Sequence, residues 1–239
     1  AKCENTNLVE GNLSKSHWHK ANFMQCSFIK PNLSGSDFSA TVHFRSNFIE
    51  PQLHDINLNE AILELVLFQA ADFSDYDFSK VVIKICQFRE SKLPRANFFG
   101  RDVTQCGFMN ADVTAANFSH AKADKTLFLG AKLAGARFIN ASLEQALFNG
   151  SILEQADVSG SKMIQAQLKE IKAQGPIFAD CDLTYADFSL AQLMRADMSR
   201  SILLRTNLHE IYEDETKWSG TNRQVALETD AKRAKAEKF

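Results

Sequence analysis

The chain has 239 residues, 45% hydrophobic and 23% charged, with a formal net charge of −2. That length holds one large domain or two small ones, and near-neutrality argues against a strongly basic nucleic-acid binder. No run of about 18 uncharged apolar residues is present to form a membrane span, and no basic-then-apolar leader opens the chain. The first residue is Ala rather than Met, which reads as trimming or as excision from a longer protein.

From the N-terminus onward one period dominates. A large apolar residue falls at Leu8, Leu13, Trp18, Phe23, Phe28, Leu33 and Phe38, and the same phase runs to Leu203 and Leu208 without insertion. Only His43, Ala123 and Ala173 break it. Two places before each large residue stands a small one, usually Ala, Ser, Thr or Cys, and Asn or Asp often lies between, as in Ala131–Phe148. A five-residue period suits neither a helix nor a plain strand. In a strand, an odd repeat would turn every second large residue outward. The pattern is consistent only if each repeat contains a corner, so that the small and large residues both point inward. Most glycines lie two places after the large residue, where a corner demands positive φ.

Repeats such as Ala71-Asp72-Phe73-Ser74-Asp75 and Ala116-Asn117-Phe118-Ser119-His120 resemble the pentapeptide-repeat proteins, over about residues 6–208. The resemblance implies an all-β fold: a right-handed, four-sided parallel β-helix with 20 residues per coil, about ten coils and a rod roughly 45–50 Å long. Residues 20 apart then stack. One column is Phe-rich from Phe28 to Phe148, and the opposite one from Phe78 to Phe138, which predicts two phenylalanine ladders. The intervening columns are mostly aliphatic.

The expected organisation is a β-helix over 1–208 and a C-terminal cap with a short helical tail over 209–239. In that tail Glu213 occupies a core position, and Trp218 returns to phase over Met198, making it the candidate plug for the open end. Thr229 or Asp230 is placed to cap a helix through Ala231–Lys238. At the other end Cys3 is already in phase, so no N-terminal cap is expected within the chain. Two rough stretches, Pro31–Ile56 and Ile171–Phe178, read as bends or edges because proline removes a ladder donor.

The same register gathers a surface. Val42, Ile62 and Val82 fall in one outward column, Leu65 and Ile85 in another on the same side, and Phe44 beside them. Further along the rod these columns turn polar. A patch of about a few hundred Å² is of the scale at which exposed apolar surface tends to mean contact, so these six residues are the candidate protein-interaction patch. The alternative is a locally apolar face with no partner, or one covered by the C-terminal tail.

Signals for chemistry are weak. Cys26, Cys86, Cys106 and Cys181 fill small inward positions and read as buried, reduced thiols. There is no CxxC and no zinc-type spacing. His17 and His19 flank Trp18 facing outward, and His43 reads as a hydrogen-bonded core histidine. Stacking makes carboxylate pairs such as Asp37 and Asp77 inevitable, and an uninterrupted rod offers no cleft to perturb them. No catalytic residue, metal ligand, cofactor or small-molecule substrate is expected.

The expected function is a non-enzymatic rod that binds a protein partner or a second copy of itself, without nucleic acid or membrane. The segment Glu215–Lys238 resembles the ends of pentapeptide-repeat proteins associated with bacterial type VI secretion. That implies the bacterial cytoplasm, or export without a cleavable signal peptide. The quinolone-resistance branch, Qnr and MfpA, gives the alternative, imitation of DNA to bind DNA gyrase. Their acidic surface has no counterpart here, where residues 1–208 carry 21 Lys/Arg against 22 Asp/Glu.

Overall fold

Each corner is made by one residue forced into a left-handed conformation. In the computed structural model, which describes residues 1–236, this holds for every fifth residue from Asn5 to Gly220 except Lys80. Most are not glycine, so the corner tolerates Lys, Arg, Gln and Asp as well as Gly35, at φ 67°. The chain therefore turns every five residues and closes a right-handed, four-sided coil every 20, giving a solenoid of about ten coils with neighbours paired in parallel.

The first face is built from β1 (Lys2–Glu4), β3 (Asn22–Met24), β5 (Val42–Phe44), β7 (Ile62–Glu64) and β9 (Val82–Lys84), paired in that order. The second holds β2 (Asn7–Val9), β4 (Ser27–Ile29), β6 (Asn47–Ile49), β8 (Leu67–Gln69) and β10 (Gln87–Arg89). The third and fourth faces are ladders of single bridges, such as Asn12↔Asn32 and His17↔Asp37. Further on, β11 (Lys172–Gln174) pairs with β12 (Gln192–Met194).

Inside, the two phenylalanine ladders are continuous. Phe78, Phe98, Phe118 and Phe138 stack at 4.5, 4.7 and 4.9 Å. Phe28 and Phe48 open the other column at 4.6 Å, and Phe128 and Phe148 close it at 4.9 Å. The columns meet edge to face, as at Phe118 and Phe128 with planes 84° apart, an arrangement that the ring quadrupole favours. The small position follows equally simple rules. Its hydroxyl reaches the carbonyl of the large residue one coil back, as when Ser201 Oγ donates to Phe178 O at 2.6 Å. Cys181 Sγ does the same to Val158 O at 3.0 Å. Cysteine thus stands in for serine. All five thiols are free, and burial pushes Cys86 up to about 11 and Cys181 to about 12, away from reactive thiolate.

The prolines do not act as expected. The N–H of the small position closes the turn onto the preceding large residue, as in Ser36 N to Leu33 O. Proline there deletes a turn bond and leaves the ladder whole. At Pro31 the chain still pairs through Asn32 N to Gly11 O and Gln52 N to Pro31 O, and Pro176 O accepts from Asp197 N. The stretch around Ile171–Phe178 is regular: Lys172–Gln174 forms β11 and Ile177 bridges both Asp157 and Asp197.

The Pro31–Ile56 stretch does end at an interruption of the ladder, but its cause is a large residue in the small position. Ile56 and Tyr76 occupy it in successive coils of one column. Between these coils the bridges that would join residue 52 to 72 and 57 to 77 are absent among the described residues, although Asn32↔Gln52, Asp37↔Asn57, Asp72↔Lys92 and Asp77↔Asn97 flank the gap. A 3-10 turn, Phe78–Lys80, takes up the slack and explains why Lys80 alone leaves the corner conformation. Arg101 fills a small position too, and the first face opens between Val82 and Asp102 while the second stays paired through Gln87↔Gly107.

At the C-terminal end pairing outlasts the sequence phase, with Gln192↔Tyr212, Asp197↔Lys217 and Asn207↔Leu227 all bridged. Helix α1 (Ala231–Ala236) follows. Asp230 Oδ1 accepts from Lys232 N and Arg233 N and is its cap, whereas Thr229 Oγ1 accepts from Glu210 N. Lys238, the expected end of that helix, lies outside the described residues.

Candidate interaction surface

The patch begins with strand register. Parallel pairing of β5, β7 and β9 stacks Val42 on Ile62 and Ile62 on Val82. The same pairing stacks Phe44 on Glu64 and Glu64 on Lys84. Lys84 Nζ lies 3.2 Å from Glu64 Oε2, so an ion pair runs between the apolar column and the corner that carries Leu65 and Ile85. The Arg45 guanidinium stands 5.1 Å from the Phe44 ring. Five of the six residues therefore form two apolar stripes with a charged seam between them, and Phe44 stands at the end of that seam. Val82 and Ile85 are the most open, at 43% and 42% exposure.

Two details set this region apart. Ile85 is a β-branched residue at φ 52°, a conformation in which such side chains are genuine outliers. In addition β9 is the last strand of its sheet, because the Arg101 coil does not pair with it. Its outer edge therefore carries unpaired backbone groups beside Val82 and Ile85. The Arg101 Nε is itself buried without a hydrogen-bond partner.

At the end of the rod Met198 N donates to Lys217 O at 2.8 Å, which puts Trp218 in register over Met198. Its Nε1 donates to Glu213 Oε2 at 2.9 Å, and the Arg223 guanidinium lies 4.6 Å from the ring while bonding Glu213 and Glu228. Glu213 is thus turned out of the core position its phase gave it, and serves as acceptor for the tryptophan.

His43 is fully buried and stacks on Phe23 at 4.7 Å, with planes 7° apart. Its Nε2 lies 3.2 Å from Thr41 Oγ1, while Nδ1 has no partner. Burial pulls the imidazole down to about 3, so it is neutral at physiological pH. His19 Nδ1 lies 2.8 Å from Ser39 Oγ. Among the described residues no group of three His, Cys, Asp or Glu is placed to hold a metal ion, and no helix is long and apolar enough to cross a membrane.

One feature is not foreseen from the repeat. The opening between the Ile56 and Tyr76 coils forms a cleft of about 960 Å³ lined by Leu53, Ile56, Phe73 and Tyr76 inside and by Asp55, Asp72, Asp75 and Asp77 at its mouth. Its signal in the sequence is two consecutive large residues in a column that otherwise reads Ser16, Ser36 and Ala96.

The corner geometry, the five-residue phase and the paired coils find their match in two family models. One, described as a pentapeptide repeat region, matches residues 21–98. The other, pentapeptide repeats in eight copies, matches 111–150, 161–200 and 177–210. The chain is a pentapeptide-repeat protein. Solved structures similar to this pentapeptide-repeat chain include HetL from the cyanobacterium Nostoc, a protein involved in heterocyst differentiation regulation. It is 18% identical, with 96% of this chain and 90% of HetL covered at a TM-score of 0.39. Full-length QnrB1, a plasmid-mediated fluoroquinolone resistance protein, is 15% identical over 99% of this chain and 97% of its own, with a TM-score of 0.45. A thylakoid-lumen protein of Arabidopsis thaliana is 25% identical over 45% of this chain and 74% of its own, with a TM-score of 0.35. No curated protein matches the sequence.

Proposed function

We propose that this pentapeptide-repeat protein is a non-enzymatic scaffold that binds a protein partner through the stripes on β5, β7 and β9. The observation that carries this reading is Ile85. A left-handed conformation disfavours an L-residue by about 1–2 kcal/mol, and a β-branched side chain is the worst suited to it. Here that conformation holds an exposed apolar side chain whose place a glycine or asparagine would fill with less strain. A contact made outside the chain gives that choice a reason. The near-neutral body and the apolar stripes favour a protein surface over imitation of duplex DNA. Secretion by a type VI apparatus is the setting that the Glu215–Lys238 segment supports.

The test is affinity capture from the native source, comparing wild type with the double substitution Ile62→Asp and Val82→Asp. Both side chains point outward, so the variant folds, as circular dichroism would show. Loss of specific partners from the variant alone is expected, and an unchanged set of captured proteins overturns the proposal. Sedimentation of both forms separates a partner from self-association.

A further inference from the structure

The cleft between the Ile56 and Tyr76 coils is a second site, away from β5, β7 and β9. In a regular coil the large residue and the corner residue donate their N–H groups to the next coil, and this happens on both sides of the gap. Leu33 N reaches Gln52 O at 2.8 Å and Gly35 N reaches His54 O at 2.7 Å below it, while Phe73 N reaches Lys92 O at 2.7 Å and Asp75 N reaches Pro94 O at 2.9 Å above. Between the two coils neither bond forms on this face, although Glu60 N still reaches Lys80 O at 2.9 Å on the next. Leu53 N and Asp55 N on one wall, and the carbonyls of Asp72 and Ser74 on the other, have no ladder partner among the described residues. Such groups must be met by solvent or by a ligand, and open strand edges are templates for another strand.

Tyr76 is what keeps the walls apart. Its ring packs 4.8 Å from Phe78 and 5.6 Å from Phe73, and its hydroxyl accepts the Leu58 N–H that would otherwise join the ladder. The opening is therefore wedged by a half-buried side chain. The mouth is acidic: among the described residues four aspartates line it with no lysine or arginine. Asp55 lies 3.1 Å from His54 Nε2 and Asp75 is engaged from the coil above by Arg95, which leaves Asp72 and Asp77 without a basic partner in the lining. Apolar Leu53 and Phe73 form the floor.

The geometry points to this cleft as the binding site for a cationic, extended peptide segment of a partner protein. Its main chain pairs with the open edges, as in other strand-addition complexes. Alternate side chains meet the apolar floor and, as Lys or Arg, the aspartate rim. The open edge is one face of the coil, Pro51 up to the corner at Asp55, a length that suits a short segment of one strand.

The probe is a fluorescein-labelled Lys-Val-Lys-Val-Lys-Val-Lys peptide, read by anisotropy. It should bind wild type, while the Glu-for-Lys peptide should not. Methylating alternate backbone nitrogens of the lysine peptide should weaken it at least about ten-fold, because strand pairing is lost. Tyr76→Ala should let the ladder close and weaken binding by a similar factor. Should that variant fail to fold, Asp72→Asn with Asp77→Asn tests the rim, with at least several-fold weaker binding expected. Amide exchange at Leu53 and Asp55 should slow when the peptide is added. Absence of binding up to about 1 mM, equal binding of the methylated peptide, or unchanged exchange at these amides each overturns the assignment. The Ile62→Asp, Val82→Asp variant should bind the peptide as wild type does, so failure at one surface does not touch the other.

Discussion

The backbone N–H of Leu58 donates to the phenol oxygen of Tyr76 at 2.8 Å, where a regular coil would offer it the carbonyl of Asp77. The equivalent bond one coil earlier, Phe38 N to Asn57 O, is also 2.8 Å. A side chain thus takes over a ladder position; before it the ladder is open at Leu53 and Asp55, and after it pairing resumes with Glu60 N to Lys80 O.

Tyr76→Phe keeps the wedge and removes the acceptor. Leaving the Leu58 N–H unpaired in a half-buried place is expected to cost about 1–2 kcal/mol, measured by urea unfolding near pH 8. Burial raises the phenol from its ordinary 10 to about 12. The folded chain therefore holds that proton more tightly than the unfolded one. Its contribution is complete below pH 10 and is lost as pH climbs toward 12. Wild type should lose more stability than Tyr76→Phe between pH 9 and 11, and parallel curves would refute the role of the hydroxyl.

His43 gives the opposite dependence. Its folded imidazole titrates near 3 against an ordinary 6.5, because burial disfavours the cation. The unfolded chain takes up the proton first, so stability is whole above pH 6.5 and falls as pH drops toward 3. The loss approaches roughly 4 kcal/mol from this one group. His43→Leu fits the apolar column, removes the unpartnered Nδ1 and should flatten the acid side of a stability profile. Identical acid slopes for the two proteins would count against it.

Ile85→Gly separates stability from binding. Relief of the left-handed strain should exceed the modest packing given up by a side chain that is 42% exposed, for a net gain of about 1 kcal/mol. The same change should weaken partner capture. A variant that is both less stable and fully competent in capture would show that Ile85 serves packing instead.

Trp218→Ala tests the plug. The ring is in register over Met198, packs against the core and engages Glu213 and Arg223, so its removal should destabilise the last coil by about 1–2 kcal/mol, less than a fully buried tryptophan. Amide exchange should accelerate first at Met198 and Arg200, whose N–H groups pair with Lys217 and Ser219. Uniform loosening along the rod would instead mean that the end is not separately capped.

Much of the architecture was legible because the repeat has no insertions. One phase, set by Phe118 or Phe128, carries to Leu8 and Leu208, and stacking every 20 residues follows from four corners per coil. That determined the two phenylalanine ladders, the buried thiols, the column of Val42, Ile62 and Val82, and the place of Trp218 over Met198. The proline reading marked one edge, at Pro51–Ile56, for the wrong reason and missed at Ile171–Phe178, because the sequence says which N–H is missing but not where it would have pointed. In this fold it points into the turn.

What the tertiary structure alone decided are the interactions between columns. Glu64 and Lys84 look like ordinary outward residues in sequence, yet their pairing divides the apolar surface in two. Tyr76 reads as one irregular small position, and Arg101 as another. Whether such a residue is absorbed or parts the coils depends on the volume left by its neighbours in the stack, above all Ile56 directly beneath Tyr76. A linear repeat specifies the register of each coil on the next. Only the packed interior, with a fixed space at every small position, decides where that register is too full to close.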